Sequence, residues 1–135
     1  MTSNAMKFCR FRVAAIAAAA ILSLSALHAR AQVIDIAWSD GGEFKRSVSV
    51  APGKFAELCG ALKPGQAVQW QFEADRALDF NIHFHEGEAV RYPARTDQTR
   101  SLQGTLAVDA ARDYCWMWSN KSAAVAALQV RLQRR

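Results

Sequence analysis

The stretch LDFNIHFHEGEAV, Leu78 to Val90, alternates with a strict two-residue period, and so does DYCWMWSN, Asp113 to Asn120. In the first, Phe80, Ile82 and Phe84 fall on one face and Asp79, Asn81, His83 and His85 on the other. In the second, Tyr114, Trp116 and Trp118 share a face while Cys115 and Met117 share the opposite one. A period of two fits strands and no helix, so the chain must build its core from sheets. Which face of the Trp116 and Trp118 strand points inward is open: the aromatics make a core, yet a disulfide at Cys115 would also need shelter.

Met1 to Ala31 reads as a secretory leader. Lys7, Arg10 and Arg12 form a basic start, and Val13 to Leu27 is an apolar run too short for a comfortable membrane span. Ala29-Arg30-Ala31 places small residues at both recognition positions, so cleavage is expected between Ala31 and Gln32. The mature chain, residues 32–135, is then exported to a periplasm or beyond, with no membrane span.

The leader carries four of the 17 basic residues and none of the 12 acidic ones, which leaves 13 against 12, a net charge of +1. The alkaline character belongs mostly to the discarded segment, and nucleic acid is excluded as the expected partner. Of three cysteines, Cys9 leaves with the leader. Cys59 and Cys115 remain as a pair in an oxidising compartment, where one disulfide is the natural state. Closing a loop of that length restrains the unfolded chain by about 4 kcal/mol in the chain-entropy model.

Short alternating runs recur with turn signals between them: Ile34 to Trp38, Val48 to Val50, Val68 to Phe72, Phe80 to Phe84, Leu102 to Val108, Tyr114 to Trp118 and Leu128 to Leu132. Asp40-Gly41-Gly42, Pro52-Gly53, Pro64-Gly65 and Asn120-Lys121-Ser122 separate several of them. About seven short strands predict an all-β fold, a single antiparallel β-sandwich of jelly-roll type. Phe55 to Leu62 is the one place for a helical turn.

The order of landmarks resembles the GOLD domain of the p24 (emp24) cargo-receptor family. Cys59 is followed by Lys63 and Gly65, then by VQWQFEA, LDFNIHFHEGEAV, a variable stretch and the closing YCWMWSN. The resemblance covers roughly residues 50–132. It implies a jelly-roll-like sandwich in which Cys59 pairs with Cys115, a strand ending in Asn120, and a role in binding without catalysis. The chain carries neither the coiled coil nor the transmembrane helix and tail of those receptors, so cargo sorting is not implied. The leader and the compact domain look bacterial.

His83 and His85 are the only histidines beyond the leader, and H-x-H on a strand points both imidazoles to one side. With Met117, the only thioether outside the leader, they are the candidate ligands for copper or zinc. The plain alternative is a solvated strand face, because two imidazoles make an incomplete site. HFHEGE is also similar to the H-x-H signature of copper-zinc superoxide dismutases, but the further histidines that family needs are missing, and a cupin lacks its later His. No nucleophile-elbow or phosphate-loop glycine pattern is present, so no catalytic residue is assigned. Trp70, Trp116 and Trp118 offer a third reading as a stacking platform for sugars. The expected function is a small exported binding or accessory module, its ligand a protein or small molecule of the cell envelope. A metal-binding protein and a carbohydrate-binding module are the alternatives.

Overall fold

The computed structural model describes residues 31–135, and the leader lies outside the described residues except for Ala31. Seven strands and no helix make up the described chain: β1 (Gln32–Asp35), β2 (Glu43–Val50), β3 (Phe55–Leu62), β4 (Ala67–Glu86), β5 (Ala89–Ala107), β6 (Arg112–Ser119) and β7 (Ala126–Arg134). Hydrogen bonds order them β1-β3-β6-β4-β7-β2, with β5 along the other side of β4. All pairs are antiparallel except β1 with β3, which run parallel, so the sheet is mixed.

β4 makes the sheet fold over on itself. Its first part, Val68 to Ala74, pairs with β7, and its later part, Asp79 to His83, pairs with β6. Phe72 and Phe80 lie eight residues apart, a span of about 26 Å on a straight strand. Their ring centroids are 4.8 Å apart. The strand therefore turns a corner near Asp75 to Ala77, where Asp75 Oδ1 accepts the Ala127 N–H at 2.8 Å and Arg76 Nε donates to Val125 O at 3.0 Å. The inward parity survives the corner: Val68, Trp70, Phe72, Ala74, Leu78, Phe80 and Ile82 are all buried. β5 follows the bend through a register shift opposite Asp79, where Gln98 sits at φ 53° and both its backbone N–H and its side-chain amide donate to Asp79 Oδ1.

The core lies between the two halves of the folded sheet. Tyr114, Trp116 and Trp118 are buried there, and Phe72, Phe80 and Trp118 pack ring against ring with centroids 4.8–5.5 Å apart. Such contacts add about 0.5–1.5 kcal/mol each beyond area burial. The indole N–H groups of Trp70, Trp116 and Trp118 have no hydrogen-bond partner in this core. Aromatic bulk fills it at that polar cost.

Three expectations change. Phe55–Leu62 is strand β3, not a helical turn: Ala56, Leu58 and Leu62 alternate inward, and eight successive residues pair with β6. The runs at Val68 and at Phe80 are one strand of 20 residues. Trp70, Trp116 and Trp118 are 7%, 0% and 1% exposed, so they offer no face to a sugar and the stacking platform is ruled out.

Candidate functional site

With the tryptophans inward, parity sends Cys115 and Met117 to the outer face of β6. Residues directly opposite in a ladder share a face, so the register assembles two rows across β1, β3, β6 and β4. One runs Val33, Glu57, Met117, Asn81, and the other Asp35, Cys59, Cys115, His83. The Cys59–Cys115 disulfide is a directly opposed cross-strand pair with a Cα–Cα distance of 4.1 Å. It fastens β3 to β6 across a sequence separation of 56.

His83 stands beside that disulfide and is only 8% exposed although it faces outward. The His85 ring meets it edge-on at 5.8 Å, and the Tyr92 ring of β5 lies 6.0 Å away. Both ring nitrogens face oxygens. Nδ1 is 2.8 Å from Asn81 Oδ1, and Nε2 is 3.2 Å from Glu57 Oε1. With Nδ1–H donating to Asn81, the Nε2 lone pair of a neutral ring points at a carboxylate. Burial pulls the imidazole below the ordinary histidine value, and the Glu57 carboxylate pulls it up less strongly. Glu57 Oε1 also lies 3.4 Å from Cys59 Sγ.

The structure brings His83, His85 and Met117 onto one outer face, whereas the sequence pattern joins only the two histidines and leaves the face of Met117 open. It adds Glu57, which sequence reading missed. Glu57 lies 26 positions before His83 in a segment read as a helical turn, where nothing marks it. Read as a strand, its i, i+2 relation to Cys59 puts the two on one face, and that is the signal that finds it.

The face continues onto the tip of the β4–β5 hairpin, which turns at Gly87-Glu88 with Gly87 at φ 61°. Val90 and Tyr92 there are 38% and 51% exposed, and Val33 at the far edge is 64% exposed. Arg95 lies 5.8 Å from the Tyr92 ring, while on the other side of the hairpin Arg112 contacts Glu86 at 3.0 Å and stacks over Phe84. The opposite outer face, over β2, β7, the first half of β4 and the second half of β5, is a shallow polar trough. A cross-strand row of Lys45, Arg131, Gln71 and Gln103 lines it.

The sequence matches no protein-family model and no curated protein. The fold does match solved structures. PliG of Aeromonas hydrophila, a periplasmic lysozyme inhibitor of g-type lysozyme, superposes with a TM-score of 0.63 at 14% identity, over 78% of this chain and 98% of its own. PliG of Salmonella Typhimurium gives 0.55 at 13% identity, over 77% and 98%. The pre-peptidase C-terminal domain of a Bacillus anthracis collagenase gives 0.53 at 8% identity, over 78% and 95%. The likeness is one of fold. Among the described residues, no helix is long and apolar enough to cross a membrane.

Proposed function

We propose that this chain is an exported, non-catalytic binding module whose partner is a protein, engaged through the tip of the β4–β5 hairpin and the adjoining outer face of β4, β6 and β3. The observation that carries this reading is the exposure of Val90 and Tyr92 on a hairpin that Arg112 of β6 ties down at Glu86. An aromatic anchor held on rigid backbone binds with little ordering cost, and residues of this type dominate protein interfaces. The resemblance to the GOLD domain favours a binding role, as does the shared fold with PliG. The partner class that fits best is a lysozyme, the target named for PliG. The leader, with cleavage after Ala31, supports an envelope location.

The test is inhibition of a g-type lysozyme on peptidoglycan by the mature chain, beside Tyr92→Ala. Dose-dependent inhibition that the variant loses is expected. If the mature chain neither inhibits nor binds the enzyme at micromolar concentration, the lysozyme partner is wrong. If an envelope pull-down also captures no protein through the hairpin, the docking role falls with it.

A cation held near His83, with His85 and Met117 as the neighbouring donors, is a second reading. It is favoured by the Nε2 lone pair that faces Glu57 across 3.2 Å.

A further inference from the structure

We infer that reduction of the Cys59–Cys115 bond converts the outer face of β3, β6 and β4 into a four-donor site for a borderline-soft divalent cation, zinc by preference. Its ligands are Glu57, Cys59, Cys115 and His83. The inference goes beyond the docking role and does not depend on it.

The donors already converge. A Glu57 carboxylate oxygen, a His83 ring nitrogen and Cys115 Sγ all lie within 4.8 Å of one another. Cys59 Sγ is 3.4 Å from Glu57 Oε1, and His83 Nε2 is 3.2 Å from the same oxygen. In tetrahedral zinc with Zn–S near 2.3 Å and Zn–N or Zn–O near 2.0–2.1 Å, neighbouring donors stand roughly 3.3–3.8 Å apart. The oxygen–sulfur separation of 3.4 Å falls in this range and the nitrogen–oxygen separation of 3.2 Å just below it. The two sulfurs must part from bonding distance to about 3.8 Å, which rotation about the cysteine χ1 angles allows while the ladder keeps both Cα atoms in place.

Donor chemistry explains why the bond gates the site. A disulfide supplies no anionic ligand, so beside the oxidised bond only the His83 imidazole and the Glu57 carboxylate converge, with the His85 ring 5.8 Å from His83. A dithiol reductant delivers two electrons and two protons to Cys59–Cys115 and is itself oxidised to a disulfide, while the S–S bond breaks to give two thiols. The cation then displaces both thiol protons to solvent and forms two metal–sulfur bonds. His83 is oriented in advance, because Asn81 Oδ1, 2.8 Å from Nδ1, can only accept, and the Nδ1–H tautomer that satisfies it leaves Nε2 as the coordinating atom. That is the outer-sphere arrangement that fixes the tautomer of a ligand histidine. Donors S, S, N and O suit zinc.

The experiment uses the mature chain, one half oxidised and one half reduced with a phosphine without oxygen. Each is titrated with Co(II) and then Zn(II), with tryptophan fluorescence and circular dichroism followed alongside. The reduced form is expected to bind one Co(II) with thiolate charge-transfer bands and tetrahedral visible bands, which Zn(II) displaces, at least about 100-fold more tightly than the oxidised form. His83→Ala and Glu57→Gln should each weaken binding by about 10–100-fold, and His85→Ala should not. If reduction loosens the fold, zinc should restore it. Equal weak binding by both redox forms would overturn the inference. So would an affinity unchanged by His83→Ala, or a reduced chain that unfolds and is not rescued by zinc.

Discussion

The side-chain amide of Asn120 donates to the backbone oxygen of Val50 at 2.8 Å, joining residues 70 positions apart. The same Nδ2 donates to Ala124 O, and Oδ1 accepts from the N–H and hydroxyl of Ser122. The residue is 1% exposed and fully satisfied, so it closes the turn after β6 onto the end of β2. Asn120→Ala should cost about 2–4 kcal/mol by urea denaturation, because it strands the buried Val50 carbonyl and the half-buried Ala124 carbonyl and Ser122 N–H. Asn120→Asp should also destabilise, since it sets an acceptor against two carbonyl oxygens. A loss near zero for both would mean that water replaces the amide.

Removing the disulfide should have the larger effect. Cys59→Ser or Cys115→Ser is expected to lower stability by about 2–5 kcal/mol, and the double variant little further, because the bond is lost in all three. Thiol alkylation of the unreduced native chain checks the premise and should label neither residue.

Gly104 has no room for a side chain. A Cβ there would stand 2.6 Å from Trp70 Cζ2 and 3.0 Å from Cε2. Gly104→Ala should therefore cost about 1–3 kcal/mol, while combining it with Trp70→Phe should cost less than the sum of the two single changes. Thermal melts of the four proteins measure that coupling. Strict additivity would deny the contact.

Tyr114 sets an alkaline limit. Burial and the Asp109 carboxylate, 3.3 Å from the hydroxyl, raise its phenol above the ordinary tyrosine value. The folded state thus holds the proton more tightly than the unfolded chain. Its contribution is complete below about pH 10, the unfolded value, and is lost as pH rises through the raised folded value. In Tyr114→Phe the fall in stability above pH 10 should be shallower. An unchanged alkaline slope would assign the loss to other groups.

Tyr92 should behave in the opposite sense. Its ring is half exposed, so Tyr92→Ala should change stability by no more than about 0.5 kcal/mol while weakening partner binding strongly. A large stability loss would mark it as a packing residue.

Much of the fold is legible where large apolar side chains alternate. Phe80, Ile82, Tyr114, Trp116 and Trp118 declare strands because each is too bulky to leave in water. β3 was hidden because its inward positions are Ala56 and Gly60 beside leucines, which look alike at helical and strand periods. β4 was divided because Asp75-Arg76 has the composition of a turn. The polar pair belongs to a corner, where Asp75 satisfies a backbone N–H of β7. The stretch of β5 from Ala89 to Ser101 carries almost no alternation and buries no residue, and its outer edge has no strand partner among the described residues. Pro93 and the charges at Arg91, Arg95, Asp97 and Arg100 suit such an edge and suppress pairing with other chains. Of the site, the H-x-H pair and the cysteines were visible, whereas Glu57 depended on a strand that was not.

Strand order also sets a schedule. β7 closes at Arg134 yet lies between β4 and β2, and β6, which begins only at Arg112, lies between β3 and β4. Neither half of the sheet can be zipped until β6 and β7 have been made. β1 with β3 and β4 with β5 can pair early, but β2 and β3 wait for β7 and β6, and bringing those together carries the entropic delay of long loops. Until then the β4–β5 hairpin stands without either flanking strand. β6 and β7 are the strands whose insertion locks both halves.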